Sequence, residues 1–303
     1  MQAITFSQFG GPEVLTLAEI DAPVPGSGQV RVAVRVAAVN AFDWKVRRGL
    51  MAPALPKSFP AVPGYDVAGV VDELGDGVSE FAVGDEVMGA CVTGAYAQFA
   101  VAEVAGLVHK PETVSWEVAG GFDSVARTAN RVLNELGVEA GSTVLVHGAS
   151  GSVGQLAVQL ARHRGANVVG SASQANQERI RALGATPIVY GDGFADRASA
   201  AAPNGVDFAA DLAGRGDLPA LIALVGSPDR VLTIADPAAA ENGVRFSSGA
   251  RGAASDRQEL VDLLAHARLS LAVEQAYPLA GAALAQERSE SGHAGGRLVL
   301  VVA

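Results

Sequence analysis

His147-Gly148-Ala149-Ser150-Gly151-Ser152-Val153-Gly154 is the stretch whose reading decides the fold of this chain. Thr143 to Val146, just before it, is an apolar run that predicts a buried strand. Val153, Leu156, Ala157 and Leu160, within and after it, follow the i, i+3, i+4, i+7 spacing of one helix face. The glycines Gly148, Gly151 and Gly154 therefore occupy a strand-to-helix turn. A first glycine there permits the tight turn, a second lets a pyrophosphate approach the backbone, and a third lets helix pack on strand. The N–H groups and dipole at the helix start hold phosphate. A glycine-rich turn without ligand shares the pattern, but spacing and context favour a bound dinucleotide, with Ser150, Gly151, Ser152 and Val153 as its contacts.

Downstream, strands and helices alternate. Asn167 to Val169 reads as a strand, Gln174 to Leu183 as a helix closed by Gly184, and Pro187 to Tyr190, Val206 to Leu212 and Arg230 to Ala235 as further strands. Such alternation predicts an α/β fold, a Rossmann doubly wound parallel sheet with helices on both faces. The tail reads as helix (Asp256 to Ala267), extended segment (Leu269 to Pro278), helix (Leu279 to Glu287) and strand (Arg297 to Val302). Upstream the chain is β-rich. Val30, Val32, Val34 and Val36 alternate with Arg31, Ala33, Arg35 and Ala37, the period of a half-buried strand, and Gly/Pro clusters punctuate the segment.

The end of the second strand of the dinucleotide unit selects the cofactor. An acid there binds the ribose 2′-hydroxyl of NAD. This chain instead has Gly170-Ser171-Ala172-Ser173, so Ser171 and Ser173 favour a 2′-phosphate, and NADPH over NADH. Arg179 is a nearby basic residue that could equally face solvent. Tyr190 could flank the adenosine phosphate or belong to the core.

Bulk properties bound the rest. A length of 303 residues fits two domains of about 100–200 residues each. The net charge of −10 argues against nucleic acid or an anionic membrane as main partner. Cys91 is the only cysteine, which favours a reducing compartment; the N-terminal residues lack a signal-peptide pattern, and no apolar run is long enough to span a bilayer. A cytoplasmic protein is the expectation. Neither a CxxC nor an HExxH motif is present, and the five histidines are scattered, so no metal site is expected. Gly148-Ala149-Ser150-Gly151-Ser152 narrowly misses the nucleophile elbow Gly-x-Ser-x-Gly, which leaves a hydrolase using Ser150 as a remote alternative. His147 and Cys91 read as packing residues before catalytic ones.

Four segments together resemble the zinc-independent quinone oxidoreductase branch of the medium-chain dehydrogenase/reductase superfamily. They are Val39-Asn40-Ala41-Phe42-Asp43-Trp44-Lys45-Val46-Arg47-Arg48-Gly49; Pro63-Gly64-Tyr65-Asp66-Val67-Ala68-Gly69-Val70-Val71 with Val83-Gly84-Asp85-Glu86-Val87; the glycine loop; and Tyr277-Pro278-Leu279 with Ser291-Gly292-His293 and Gly296-Arg297. The resemblance implies a GroES-like β-rich catalytic domain (1–115), a Rossmann NADP-binding domain (116–250) and a return to the catalytic domain (251–303), with NADPH meeting substrate in a cleft between domains. It implies that Asn40 and Tyr65 stand where zinc-dependent members carry metal ligands. Asn40 is expected to hydrogen-bond the nicotinamide carboxamide. Lys45 is expected to donate a proton in the substrate site or to lie exposed, and Asp43 to pair with an arginine such as Arg47. Thr128-Ala129 matches a pair leading the helix near the nicotinamide.

This chain departs from the family at Gly120 to Arg127, where an Ala-rich segment is usual, and at Asn130, where an aromatic is usual; the substrate wall is expected there. The basic residue usual near 175–177 is also missing. The implied activity is hydride transfer from NADPH to a quinone or α,β-unsaturated carbonyl (an enone), a small-molecule substrate, without zinc. The alternative is a non-catalytic NADPH-binding redox sensor or structural protein of the same fold. The family favours homodimers through a sheet edge, here Val231 to Ala235 or the segment around Val244 to Ser248.

Overall fold

Alternation of β-branched and small residues builds the first sheet. The computed structural model describes residues 1–51, 56, 58–249, 254–292 and 294–302. The chain divides into two compact units, one formed by 1–124, 254–265 and 271–303, the other by 125–253 and 266–270. His293 and the expected boundary at 250/251 lie outside the described residues.

The first unit begins with the hairpin β1 (Gln2–Thr5) and β2 (Thr16–Glu19). β3 (Gln29–Val39) then buries Val30, Val32, Val34 and Val36, as their period predicts. α1 (Ala41–Arg47) follows, then β4 (Asp66–Leu74), β5 (Glu86–Ala90), β6 (Phe99–Glu103) and β7 (Leu107–His109). α2 (Trp116–Leu136) crosses the division between units after Ser124.

In the second unit lie β8 (Thr143–His147), α3 (Ser152–His163), β9 (Asn167–Ala172), α4 (Gln177–Ala182), β10 (Thr186–Val189), α5 (Phe194–Ala201), β11 (Phe208–Asp211), α6 (Leu218–Val225), β12 (Val231–Thr233) and β13 (Arg245–Phe246). The first unit is completed by α7 (Ala254–Ala265), β14 (Val273–Pro278), α8 (Ala282–Glu290) and β15 (Arg297–Val301).

The sheet of the second unit is wholly parallel, in the order β10-β9-β8-β11-β12-β13. It is the doubly wound Rossmann order, in which the strand direction of growth reverses beside the first strand. Its core is aliphatic: Leu145, Val169, Ala209, Leu218, Leu221 and Val231 are all buried. The larger sheet of the first unit runs β14-β15-β3-β4-β5-β7, with β6 also on β3; only β14 and β15 pair in parallel. One unit is GroES-like and β-rich and the other is a Rossmann unit, the α/β fold expected.

Some boundaries differ from the sequence reading. The helix expected from Gln174 begins as a 3₁₀ turn over Gln174–Asn176, and α4 proper starts at Gln177. The helix expected from Leu279 likewise opens as a 3₁₀ turn before α8. Val231 to Thr233 does not form a sheet edge, because β12 has β11 on one side and β13 on the other; Arg245–Phe246 is the outer strand. Among the described residues no helix is long and apolar enough to cross a membrane.

Candidate active site

The glycine loop leaves β8 through Gly148, whose φ of +83° lies in the left-handed region where only glycine is unstrained. Ala149 N–H donates to the Ser171 carbonyl at 2.9 Å, which keeps the loop on β9. Gly151 then caps α3 in extended conformation, and Gln155 N–H closes the first turn on the Gly151 carbonyl at 2.9 Å.

The three glycines divide their work as the spacing argument requires. A Cβ on Gly154 would meet the Gly148 carbonyl oxygen at 2.2 Å and Ala149 Cα at 2.7 Å, so this glycine is what lets α3 lie against the loop. A Cβ on Gly151 would meet only the Gly148 oxygen, at 3.4 Å. The protein itself has no steric need of glycine at 151. The space is open over the first turn of α3, where backbone amides point outward. A cradle that a Cβ would fill, ahead of a helix start, fits a dinucleotide pyrophosphate.

Around the loop, the Ser150 carbonyl accepts from Gln155 Nε2 at 3.0 Å and from Arg179 Nη2 at 2.7 Å. Arg179 is thus turned towards the loop, which the sequence left open. Ser171 is fully buried, its Oγ 2.7 Å from His147 Nδ1 and accepting the Gly148 N–H at 3.3 Å. It reaches the loop from behind. Ser173, just past β9, is half-buried and accepts from Asn176 Nδ2 at 3.0 Å. Tyr190 follows β10 and is exposed, with the Arg215 guanidinium 5.7 Å from its ring centroid. Because β8, β9 and β10 are adjacent and parallel, Ser150 to Val153, Ser173 and Tyr190 gather at one edge of the sheet, beyond the strands' carboxyl ends. Thr128 is half-buried on α2.

In the first unit, Asn40 sits between β3 and α1. Its Oδ1 accepts from Arg297 Nη2 at 2.7 Å, and its Nδ2 donates to Asp66 Oδ2 at 3.2 Å. Arg297 Nη2 also reaches Asp66 Oδ2 at 2.9 Å, and its Nε donates to the Gly121 carbonyl at 2.7 Å. The Asn40 carboxamide is oriented by a buried ion pair and retains one N–H for a further partner. Burial pushes the Asp66 carboxyl up, against the pull of Arg297; burial likewise lowers Arg297.

Asp43 does not pair with Arg47. Its Oδ2 accepts the Asn40 N–H at 2.8 Å and the Tyr96 hydroxyl at 2.9 Å, which stabilises the start of α1. Arg47 is fully buried and turns to α8, donating to Gln286 Oε1 at 2.8 Å and Glu290 Oε2 at 2.8 Å. An i, i+4 spacing allows the Asp43–Arg47 contact, but capping and the carboxylate on α8 win. Burial pushes the Asp43 carboxyl up to about 7, opposed by the Asn40 and Tyr96 donors. Lys45, on the same helix, is half-buried, with Nζ 5.7 Å from the Trp44 ring centroid.

Tyr65 is exposed and packs edge-on to Phe42, centroids 5.3 Å apart. Neither Asn40 nor Tyr65 offers the thiolate or imidazole that zinc prefers. Among the described residues no group of three or more His, Cys, Asp or Glu is placed to hold a metal.

The unusual Gly120 to Asn130 segment has internal explanations. A Cβ on Gly120 would meet Val36 Cγ1 at 2.6 Å, and one on Gly121 would meet Arg297 Cγ at 2.8 Å. Asp123 forms a buried pair with Arg257, Oδ1 to Nε 2.6 Å. Ser124 hydrogen-bonds Asp66. Asn130 Oδ1 accepts from Arg164 Nη2 at 2.6 Å. Each of these residues thus has a packing or hydrogen-bonding partner within its own unit.

Sequence reasoning missed Asp217, whose Oδ2 lies 2.9 Å from His147 Nε2, and the Asp66–Arg297 pair around Asn40. Only the β8–β9 register, which sets His147 opposite Ser171, could have flagged the first cluster.

Comparison with known proteins agrees with this fold. Residues 26–137 match the family model of the alcohol dehydrogenase GroES-like domain, and residues 183–300 that of the zinc-binding dehydrogenases. The mouse quinone oxidoreductase is 40% identical over 185 residues, which cover 59% of this chain and 55% of that protein. The chain thus spans less than two thirds of the length of the curated relatives it matches. Over the whole fold, the quinone oxidoreductase from Coxiella burnetii is 30% identical with a TM-score of 0.91, covering 100% of this chain and 99% of that one. A structure described as an NAD-dependent alcohol dehydrogenase is 28% identical with a TM-score of 0.90, covering both chains fully. A mycobacterial protein complexed with NADPH is 29% identical with a TM-score of 0.85, covering 99% of this chain and 100% of that one. The chain belongs to the quinone oxidoreductase branch of the medium-chain dehydrogenase/reductase superfamily.

Proposed function

We propose that this protein is a cytoplasmic, homodimeric oxidoreductase that reduces a quinone or an α,β-unsaturated carbonyl with NADPH and without zinc. The observation that carries the reading is the open cradle at Gly151, over the start of α3, in a loop otherwise tightly packed. When bound, the nicotinamide supplies the hydride. The chain's residues hold, orient and protonate. The amides of Ser150 to Val153 and the helix start bind the pyrophosphate. Ser173, Tyr190 and Arg179 surround the adenosine end. Arg179 supplies the positive charge missing at 175–177, and Ser171 supports the loop from behind. Asn40 offers its spare amide hydrogen to the nicotinamide carboxamide, and Thr128 flanks the same end. Lys45 donates to the oxygen that gains negative charge as hydride arrives, a role for which a preorganised cation is suited.

Stopped-flow oxidation of NADPH by a panel of quinones and enones tests the activity. Bound cofactor without turnover on any acceptor would refute it and leave the binding-protein reading. Replacing Arg179 by Ala is expected to lower kcat/KM for NADPH roughly tenfold more than for NADH, the size of one charge-assisted hydrogen bond. An unchanged ratio would remove Arg179 from the 2′-phosphate.

A further inference from the structure

The second unit contains a hydrogen-bonded Ser–His–Asp chain. Ser171 Oγ lies 2.7 Å from His147 Nδ1, and His147 Nε2 lies 2.9 Å from Asp217 Oδ2. Its composition matches a hydrolase triad, but its burial does not: Ser171 is 0% exposed and His147 2%, so no acyl substrate reaches the hydroxyl. The chain ends instead on the glycine loop, where Gly148 N–H donates to Ser171 Oγ at 3.3 Å.

For a neutral ring, the donors and acceptors choose the tautomer. Gly148 N–H is only a donor, so Ser171 Oγ accepts from it. The Ser171 hydroxyl hydrogen is satisfied by a bare His147 Nδ1. The ring hydrogen stands on Nε2 and is donated to Asp217, a carboxylate that can only accept. The opposite tautomer would set a bare Nε2 against that carboxylate and leave the Ser171 hydrogen without this acceptor in a buried site. The ring plane is held as well, since Phe194 packs edge-on to His147 with centroids 5.3 Å apart. Asp217, directly before α6, has a side chain 38% exposed, so the chain runs from the protein surface to the first amide of the loop.

We propose that Asp217 is a positioning residue for the dinucleotide, acting through the tautomer of His147 and the hydroxyl of Ser171 to hold the glycine loop in its binding shape. The proposal rests on the dinucleotide reading of that loop. It assigns no chemistry to Ser171.

The test measures the Kd of the full-length chain for NADPH and NADH by nucleotide fluorescence, with ¹⁵N NMR of His147. Asp217→Ala is expected to weaken both dinucleotides roughly fivefold to tenfold, the loss of one part-buried hydrogen bond, and to raise KM for the dinucleotide rather than lower kcat. Asp217→Asn retains a carbonyl acceptor for Nε2–H and is expected to stay within about twofold of wild type on the same arithmetic. His147 should show hydrogen on Nε2 in the wild type and mixed tautomers in Asp217→Ala. Asp217 is partly exposed, so its variants can be assayed even if Ser171→Ala does not fold. Normal wild-type binding with unchanged binding by Asp217→Ala, or a wild-type His147 carrying its hydrogen on Nδ1, overturns the proposal alone. A wild-type chain that binds neither dinucleotide overturns the functional reading and this proposal together.

Discussion

Two alanine substitutions three residues apart should fail in opposite ways. At Gly154 the new Cβ would stand 2.2 Å from the Gly148 oxygen and 2.7 Å from Ala149 Cα, both backbone, so no side chain can swing aside. Overpacking of this kind costs about 1–3 kcal/mol or more, and here the top of that range applies. Alanine's better helix propensity returns up to about 1 kcal/mol. The expected net loss is about 2–3 kcal/mol, which lowers the melting temperature of a unit this size by roughly 4–12 °C.

At Gly151 the backbone is extended (φ −71°, ψ 167°), a conformation open to any residue, and the Cβ meets one atom at 3.4 Å. Gly151→Ala should therefore fold with a change within about 1 kcal/mol, and reduced unfolded-state freedom can make it stabilising. Its methyl would occupy the cradle, so dinucleotide affinity should fall at least about tenfold, or about 1.4 kcal/mol. Calorimetry and fluorescence titration of both variants give the four numbers. If Gly154→Ala melts with the wild type, or Gly151→Ala binds NADPH as tightly as the wild type, the division of labour among the glycines is wrong.

Three further outcomes follow from the buried charges and the donor inventory. Asp43 titrates from 3.8 to about 7 on folding, so its stabilising contribution is complete below about pH 4 and is lost as pH rises to about 7. Urea unfolding of Asp43→Asn should accordingly lack about 4 kcal/mol of that decline; a parallel pH profile would refute the burial argument. Arg257→Met removes the Arg257 side of its buried pair with Asp123 and should cost about 3–5 kcal/mol, while adding Asp123→Leu should recover most of it; a double variant no better than the single would count against the pairing. Exhaustive dialysis against a zinc chelator should leave quinone turnover unchanged, and loss of activity restored by zinc would contradict the proposed metal-free chemistry.

The sequence by itself determined the Rossmann unit, because its information is local. A buried strand, three spaced glycines and a helix face lie within about twenty residues, and each constrains backbone that its neighbours complete. The alternating valines of β3 and the run of strands and helices after it were legible for the same reason. Strand boundaries within a parallel sheet were less so. Val231 to Thr233 reads as an edge as easily as an interior strand, since both are short and apolar, and only the pairing with β13 decides.

The tertiary structure alone decided what surrounds each site residue. Asp43 and Arg47 are spaced to pair, yet one caps its helix and the other binds Glu290, more than two hundred residues away. Asn40 was legible as a candidate; its orientation by Arg297 and Asp66 was not. The glycines at 120 and 121 read as an altered substrate wall; that they also clear Val36 and Arg297 is visible only in the structure. His147, Ser171 and Asp217 are ordinary residues in sequence. They form a chain only because the parallel register of β8 and β9 and the start of α6 bring them within hydrogen-bond reach, and hydrogen bonds depend on distances of a few tenths of an ångström that no sequence spacing encodes.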